Sequence, residues 1–184
     1  GANYNFKEMI GATGIWSEEE QSGHIFSYGV ARWVAKNTTG TILDLGCGNG
    51  TYSTYFKEVG RDAWAVDGFD QNGVDQVQDI SKSFDIGKFD IVFCIELFEH
   101  IGKEFEYIVL GNITRHCKDK VVISVAHEGQ LGTGHVNTRP DWYVKELFEG
   151  KGFKFEKELT ESIRQQPEGY VAYLKENLFV FTKI

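Results

Sequence analysis

The chain has 184 residues, 41% hydrophobic and 25% charged, with a formal charge of −8. A chain of this size buries the core of one domain, and its acidic balance argues against tight nonspecific binding to nucleic acid or an anionic membrane. No run approaches the roughly 20 apolar residues of a membrane span. The widely spaced Cys47, Cys94 and Cys117 read as reduced thiols of a cytoplasmic protein, and Gly1-Ala2 as a processed start rather than a signal peptide.

In chain order, residues 1–40 read as an N-terminal helical cap, with Phe26, Val30, Trp33 and Val34 on one helical face and Gly40 ending it. Residues 41–184 form the main domain. Strand-like runs are Thr41–Leu45, Ala63–Val66, a weaker Val77–Ile80, Phe89–Ile95, Lys120–Ala126, Phe153–Leu159 and Asn177–Ile184. Helical spacing links Tyr52, Tyr55, Phe56 and Val59 before Gly60, and recurs in Phe105, Ile108, Val109 and Ile113. It appears again in Tyr143, Val144, Leu147 and Phe148 before Gly150. Such alternation predicts an α/β fold, a doubly wound and mostly parallel sheet with helices on both faces. Leu178-Phe179-Val180-Phe181 is apolar throughout, as a strand buried on both faces requires. Phe153-Lys154-Phe155-Glu156 alternates, which fits a sheet edge.

The segment Thr41-Ile-Leu-Asp-Leu-Gly-Cys-Gly-Asn-Gly50 leads from a short buried strand into a helix. Gly46, Gly48 and Gly50 let a ligand lie against the main chain, and the N–H groups at the helix start face it. A dinucleotide fingerprint needs G-x-G-x-x-G, whereas here the glycines run G-x-G-x-G and Thr51 takes the third position. Asp44 before the turn would repel a pyrophosphate but suits an ammonium or sulfonium. In these residues the chain resembles class I S-adenosylmethionine-dependent methyltransferases. The resemblance implies a seven-stranded sheet whose last strand is antiparallel and inserted beside the sixth, with the N-terminal helix often capping the cofactor site. With Thr51 in place of the third glycine, a nicotinamide oxidoreductase is the weakest reading.

Ligands in open α/β sheets bind past the carboxyl ends of the strands. Asp44, Gly46, Cys47, Gly48 and Gly50 are therefore expected to hold the cofactor. Asp67, followed by Gly68, can accept hydrogen bonds from both ribose hydroxyls. The resemblance places Asp79 and Ile80 at the adenine. The eleven residues from Asp67 to Asp79 leave little room for a helix, a departure from the family's usual pattern. It also places Glu96 beside the methionine moiety and the methyl group.

Two groups could supply a base if the acceptor is a hydroxyl. In Glu96-x-x-Glu99-His100, a helix would put all three side chains on one face, the composition of a hard-metal site. That pattern resembles metal-assisted O-methyltransferases, including enzymes that act on RNA 3′ ends. A metal is thus an open alternative to a locally hydrogen-bonded His100. The loop His127-Glu-Gly-Gln-Leu-Gly-Thr-Gly-His135-Val-Asn137 leaves the cofactor end of the sheet. His135 is a candidate base and Asn137 a candidate orienter of the acceptor hydroxyl. With Trp142-Tyr143 after it, this string resembles a microbial and phage branch of methyltransferases. Trp16, Tyr28, Trp142 and Tyr143 are candidate acceptor-lining residues.

The function expected from all this is O-methylation of a small molecule or saccharide. The alternatives are a metal-assisted RNA 2′-O-methyltransferase, which would need a basic stripe, and a cofactor-binding partner subunit without turnover. The sequence leaves the oligomeric state open.

Overall fold

The computed structural model describes residues 26–126 and 137–184. The expected cap is thus described only from Phe26 onward, and Trp16, His127 and His135 lie outside the described residues. In order, the elements are α1 (Tyr28–Asn37), β1 (Ile42–Leu45), α2 (Thr51–Glu58), β2 (Ala63–Asp67), β3 (Gln76–Val77) and β4 (Phe89–Cys94). There follow α3 (Glu106–Arg115), β5 (Cys117–Ser124), α4 (Asp141–Glu149), β6 (Phe153–Phe155), α5 (Lys157–Arg164), α6 (Leu174–Asn177) and β7 (Leu178–Lys183).

The seven strands form one sheet in the order β3-β2-β1-β4-β5-β7-β6. Strands β1 to β5 run parallel, while β7 is antiparallel to both β5 and β6. The two-residue side-chain period of a strand divides the core cleanly between the two faces. Leu43, Leu45, Val92, Cys94, Val121, Ile123, Phe179 and Phe181 pack with Val109, Leu110 and Ile113 of α3 and Val144 and Phe148 of α4. Their neighbours Ile42, Ile91, Phe93, Val122, Leu178 and Val180 pack on the other face with Val30, Trp33 and Val34 of α1, Phe56 of α2 and Ile163 of α5. Strand β7 therefore is buried on both faces and β6 forms an edge, as the apolarity patterns require.

The structure corrects three sequence expectations. The strand expected over Phe153–Leu159 stops at Phe155, and Lys157–Arg164 is helical instead. Leu159 and Ile163 lie one turn apart and both pack on the α1 face of the sheet, and the Thr160 hydroxyl accepts the Val180 N–H at 3.0 Å. Tertiary packing thus outweighs the short alternating run that precedes them. The weak third strand is only Gln76–Val77. Beyond it the Asp79 carboxylate accepts the N–H and hydroxyl of Ser81 at 3.0 and 2.6 Å, a local turn that competes with a sheet ladder. Strand β5 begins at Cys117 rather than Lys120. As the short Asp67–Asp79 interval required, no helix lies between β2 and β3.

Among the described residues, no helix is long and apolar enough to cross a membrane. Helix α1 is tied to the rest of the chain at its N-terminus. Ser27 caps it by accepting the Val30 N–H at 3.2 Å. Glu168 accepts the Gly29 N–H at 2.6 Å and the Ser27 hydroxyl at 2.7 Å. Gly29 lets this contact form, since a Cβ there would stand 2.0 Å from the carbonyl oxygen of Gln166.

Gly29→Ala is therefore expected to cost about 1–3 kcal/mol by overpacking. Gly111→Ala, whose new methyl meets only Arg115 at 3.6 Å, is expected to gain about 0.5–1 kcal/mol from helix propensity. Urea midpoints of the two variants measure this, and a loss of similar size in both would contradict it.

Candidate active site

The sheet order reverses between β1 and β4, so the chain leaves the sheet centre in opposite directions there and opens a crevice past their carboxyl ends. A cleft lies at this point. It is lined by Asp44, Gly46, Cys47, Asn49, Thr51 and Glu96, with Phe26, Tyr52 and Ile95 as apolar walls. The Phe26 and Tyr52 rings meet at 4.6 Å, and Tyr52 rests on Phe93 at 4.9 Å.

The glycine turn forms the floor of the cleft. Gly46, Gly48 and Gly50 have φ of 75°, 58° and 75°, a region where a side chain is strained. Space forbids one as well: a Cβ on Gly50 would meet the Gly73 carbonyl oxygen at 2.3 Å. The Gly46 and Cys47 N–H groups both donate to the Val66 carbonyl at 2.8 and 3.0 Å, which fixes the turn to the neighbouring strand. Asn49 accepts the N–H and hydroxyl of Thr51 at 3.2 and 2.6 Å, starting α2. Thr51 is thus a helix-start residue, and the third glycine of a dinucleotide fingerprint has no counterpart.

Asp44 stands under this turn and is 2% exposed. Its carboxylate receives the Ser53 hydroxyl at 2.7 Å and the Ser53 N–H in the first turns of α2. Burial nevertheless dominates and pushes its pKa up to about 7, with the nearby Asp67 adding to the rise. A cation in the cleft would favour the ionised form. Burial also pushes the Cys47 thiol up, with Asp44 adding to it, so this cysteine is not a reactive thiolate.

Asp67 is buried at the end of β2. One of its oxygens accepts the Gly48 N–H at 2.8 Å and the other the Phe69 N–H at 3.1 Å. It thus couples the second strand to the glycine turn. Gly68 follows in the bend between Asp67 and Phe69. Asp79 is committed locally to Ser81, and Ile80 is a buried core residue whose carbonyl accepts from Asn112 at 2.8 Å.

Glu96 follows β4 and is the only non-glycine residue with positive φ, 57°, among those described. The helix that would bring Glu96, Glu99 and His100 onto one face is not formed here. Only Phe98–His100 make a 3-10 turn, and the left-handed backbone at Glu96 breaks the register. Among the described residues no group of three or more His, Cys, Asp or Glu side chains is placed to hold a metal ion. Glu99 and His100 are buried and are not among the lining residues of the cleft. Burial, with Glu96 nearby, raises the Glu99 carboxyl to about 8, so it is a neutral acid at pH 7.

The acceptor residues expected from sequence are mostly engaged elsewhere. Asn137 is fully buried, with its side-chain amide donating to Glu106 at 2.8 Å. Arg139 donates to the same carboxylate at 3.2 Å, and so does the Tyr143 hydroxyl. Arg139 lies over the Tyr143 ring at 4.2 Å. Glu106 thus ties the segment entering α4 to the start of α3 and engages the Asn137 amide N–H and the Tyr143 hydroxyl, while Asn137 Oδ1 is buried without a hydrogen-bond partner among the described residues. Trp142 is 61% exposed, outside the cleft. Tyr28 is also exposed but packs edge-on against Phe26 at 4.7 Å, at the cleft's rim. The sequence reading missed Tyr52, Phe26 and Ile95 as walls, and Ser53 as the partner of Asp44. Ser53 could have been found, since it lies in the first turns of the helix that follows the turn.

The sequence matches the model of a methyltransferase-domain family over residues 19–158, and the chain belongs to that family. Its fold is that of the class I S-adenosylmethionine-dependent methyltransferases. A TehB-like SAM-dependent methyltransferase from Corynebacterium glutamicum is 23% identical with a TM-score of 0.64, over 89% of this chain and 91% of that one. The magnesium protoporphyrin IX methyltransferase of Synechocystis, with S-adenosylhomocysteine bound, is 13% identical with a TM-score of 0.62, over 84% and 80%. The 1,6-didemethyltoxoflavin-N1-methyltransferase of Burkholderia thailandensis, with its substrate and S-adenosylhomocysteine bound, is 16% identical with a TM-score of 0.59, over 84% and 74%. Among curated proteins none matches the chain.

The buried acid makes a testable claim about stability. Unfolded, Asp44 ionises near 3.8; folded, it ionises near 7. The ligand-free protein therefore loses stability as pH rises from about 4 to 7, and no more from this group above that. Asp44→Asn is expected to remove this loss, gaining on the order of 2–4 kcal/mol relative to the wild type at pH 8 and little at pH 4. Melting curves across that range test it; a pH-independent difference would refute the assignment.

Proposed function

We propose that the cleft binds S-adenosylmethionine and that the protein transfers its methyl group to a small-molecule acceptor. The observation that carries this reading is the buried, hydrogen-bonded Asp44 beneath a three-glycine turn at the sheet's reversal point, in a chain of a methyltransferase family. An acid raised by burial favours a cationic ligand over a pyrophosphate. The glycine turn offers main chain to the ligand without Cβ atoms in the way.

In this reading Asp44, Gly46, Cys47, Gly48 and Gly50 hold the amino-acid end of the cofactor. Asp67 and Gly68 take the ribose, Asp79 and the edge of Ile80 the adenine, and Glu96 stands at the methyl. The bound cofactor supplies an activated methyl group on a sulfonium. The chain's part is alignment and exclusion of water, which Phe26, Tyr52 and Ile95 serve as apolar walls.

The acidic net charge favours small molecules over RNA as acceptors. The open cleft favours turnover over a purely structural cofactor-binding subunit. Oxygen is the acceptor atom we favour, because Glu96 lines the cleft and offers a carboxylate to receive a hydroxyl proton.

Calorimetry with S-adenosylhomocysteine and with NADH tests the cofactor. The first is expected to bind and the second not; the reverse would overturn the reading. Asp67→Ala is expected to weaken S-adenosylhomocysteine by about 1–3 kcal/mol, through the ribose donors left unpaired. Unchanged affinity would remove Asp67 from the ribose.

A further inference from the structure

The connector between α5 and β7 does more than close the sheet. It touches the N-terminal segment and the cleft at three points. Glu168 caps α1 through Ser27 and Gly29. The Tyr170 hydroxyl donates to the Phe26 carbonyl at 2.9 Å, holding a wall residue of the cleft. The Tyr173 hydroxyl donates to Glu96 Oε1 at 2.6 Å, reaching a lining residue 77 positions away.

Glu96 is also built in a costly way. A glutamate at φ 57° carries backbone strain that only surrounding structure can maintain. Here the Glu96 N–H donates to the Ser124 hydroxyl on β5 at 2.7 Å, and Tyr173 holds the carboxylate from the opposite direction in the chain. Two neighbouring strands and the connector thus fix both ends of one residue that lines the cleft.

We propose that Glu96 accepts the proton of the methyl acceptor and that Tyr173 is its positioning residue. The acceptor class is then a neutral group that bears hydrogen, X–H, of which a hydroxyl is the case favoured above. This rests on the cofactor reading above. In the reaction the X–C bond forms as the methyl–sulfur bond breaks, and that bond's electron pair stays on sulfur. The X–H proton passes to Glu96, which later returns it to water.

The neighbouring groups support this division of labour. Facing Glu96 are Tyr173 from the connector, Tyr52 from α2, Ser124 from β5 and Glu99 from the 3-10 turn. Glu99 is held neutral by burial up to about pH 8, with its Oε2 unpaired, so one negative charge rather than two resides here. Burial raises Glu96 as well, but the Tyr173 hydrogen bond opposes that rise. A group lifted above the ordinary carboxylate range is a better proton acceptor near neutral pH.

Sinefungin, which carries an amine where the cofactor carries its methyl, probes this without an acceptor. Calorimetry of sinefungin and S-adenosylhomocysteine between pH 5 and 9 is compared for the wild type, Glu96→Gln and Tyr173→Phe. Expected is a loss of at least tenfold in sinefungin affinity in Glu96→Gln, with S-adenosylhomocysteine within threefold. In Tyr173→Phe, the acid-side midpoint of sinefungin binding is expected to move to higher pH, again with S-adenosylhomocysteine unchanged. An unchanged sinefungin ratio in Glu96→Gln overturns the proton acceptor, and an unmoved midpoint in Tyr173→Phe overturns the positioning role. Should Tyr173→Phe fail to fold, the Glu96→Gln ratio still decides the first. Failure of the wild type to bind either compound would instead sink the cofactor reading itself.

Discussion

The site depends on one acid kept away from water. Asp44 sits at the end of the central strand, where both sheet neighbours and the first turns of α2 close around it, and its carboxylate accepts the Ser53 hydroxyl. The glycine turn above it is shaped by the same crowding: Gly50 meets the Gly73 carbonyl, and Gly46 and Cys47 share the Val66 carbonyl. Such a position is poor for stability at neutral pH and good for a cationic ligand. The fold tolerates it because both apolar faces of the sheet are filled, with β7 buried on each side.

Around that floor the tertiary structure assembles a wall from distant parts of the chain. Phe26 arrives from the N-terminal segment, Tyr52 from α2 and Glu96 from β4. The connector before β7 holds two of them, Phe26 through Tyr170 and Glu96 through Tyr173. Two residues that line the cleft are therefore held by the connector before β7. A second polar cluster, Asn137, Arg139 and Tyr143 on Glu106, serves α3 and α4 and lies apart from the cleft.

Much of the fold could be read from residue order, because strand and helix periods are local. The buried run Leu178–Phe181 announced a strand covered on both faces, and the alternation at Phe153–Phe155 an edge. The α5 helix was hidden because Phe153 to Leu159 begins with a period of two, and only packing of Ile163 on α1 selects the helix. That no helix joins Glu96, Glu99 and His100 was hidden for a comparable reason. A left-handed residue in the middle of a motif leaves no trace in spacing.

The sequence by itself determined the parallel α/β scaffold, the glycine turn with Asp44 before it and Asp67 at the next strand end. Each of these depends on residues close together in the chain and on backbone needs that few residue types meet. Only the tertiary structure decided that Asp44 is desolvated, that the Asn137 amide and Tyr143 hydroxyl are bonded to Glu106 and that Tyr173 reaches Glu96. Burial and hydrogen bonds across tens of residues depend on which surfaces meet, and no local pattern records that.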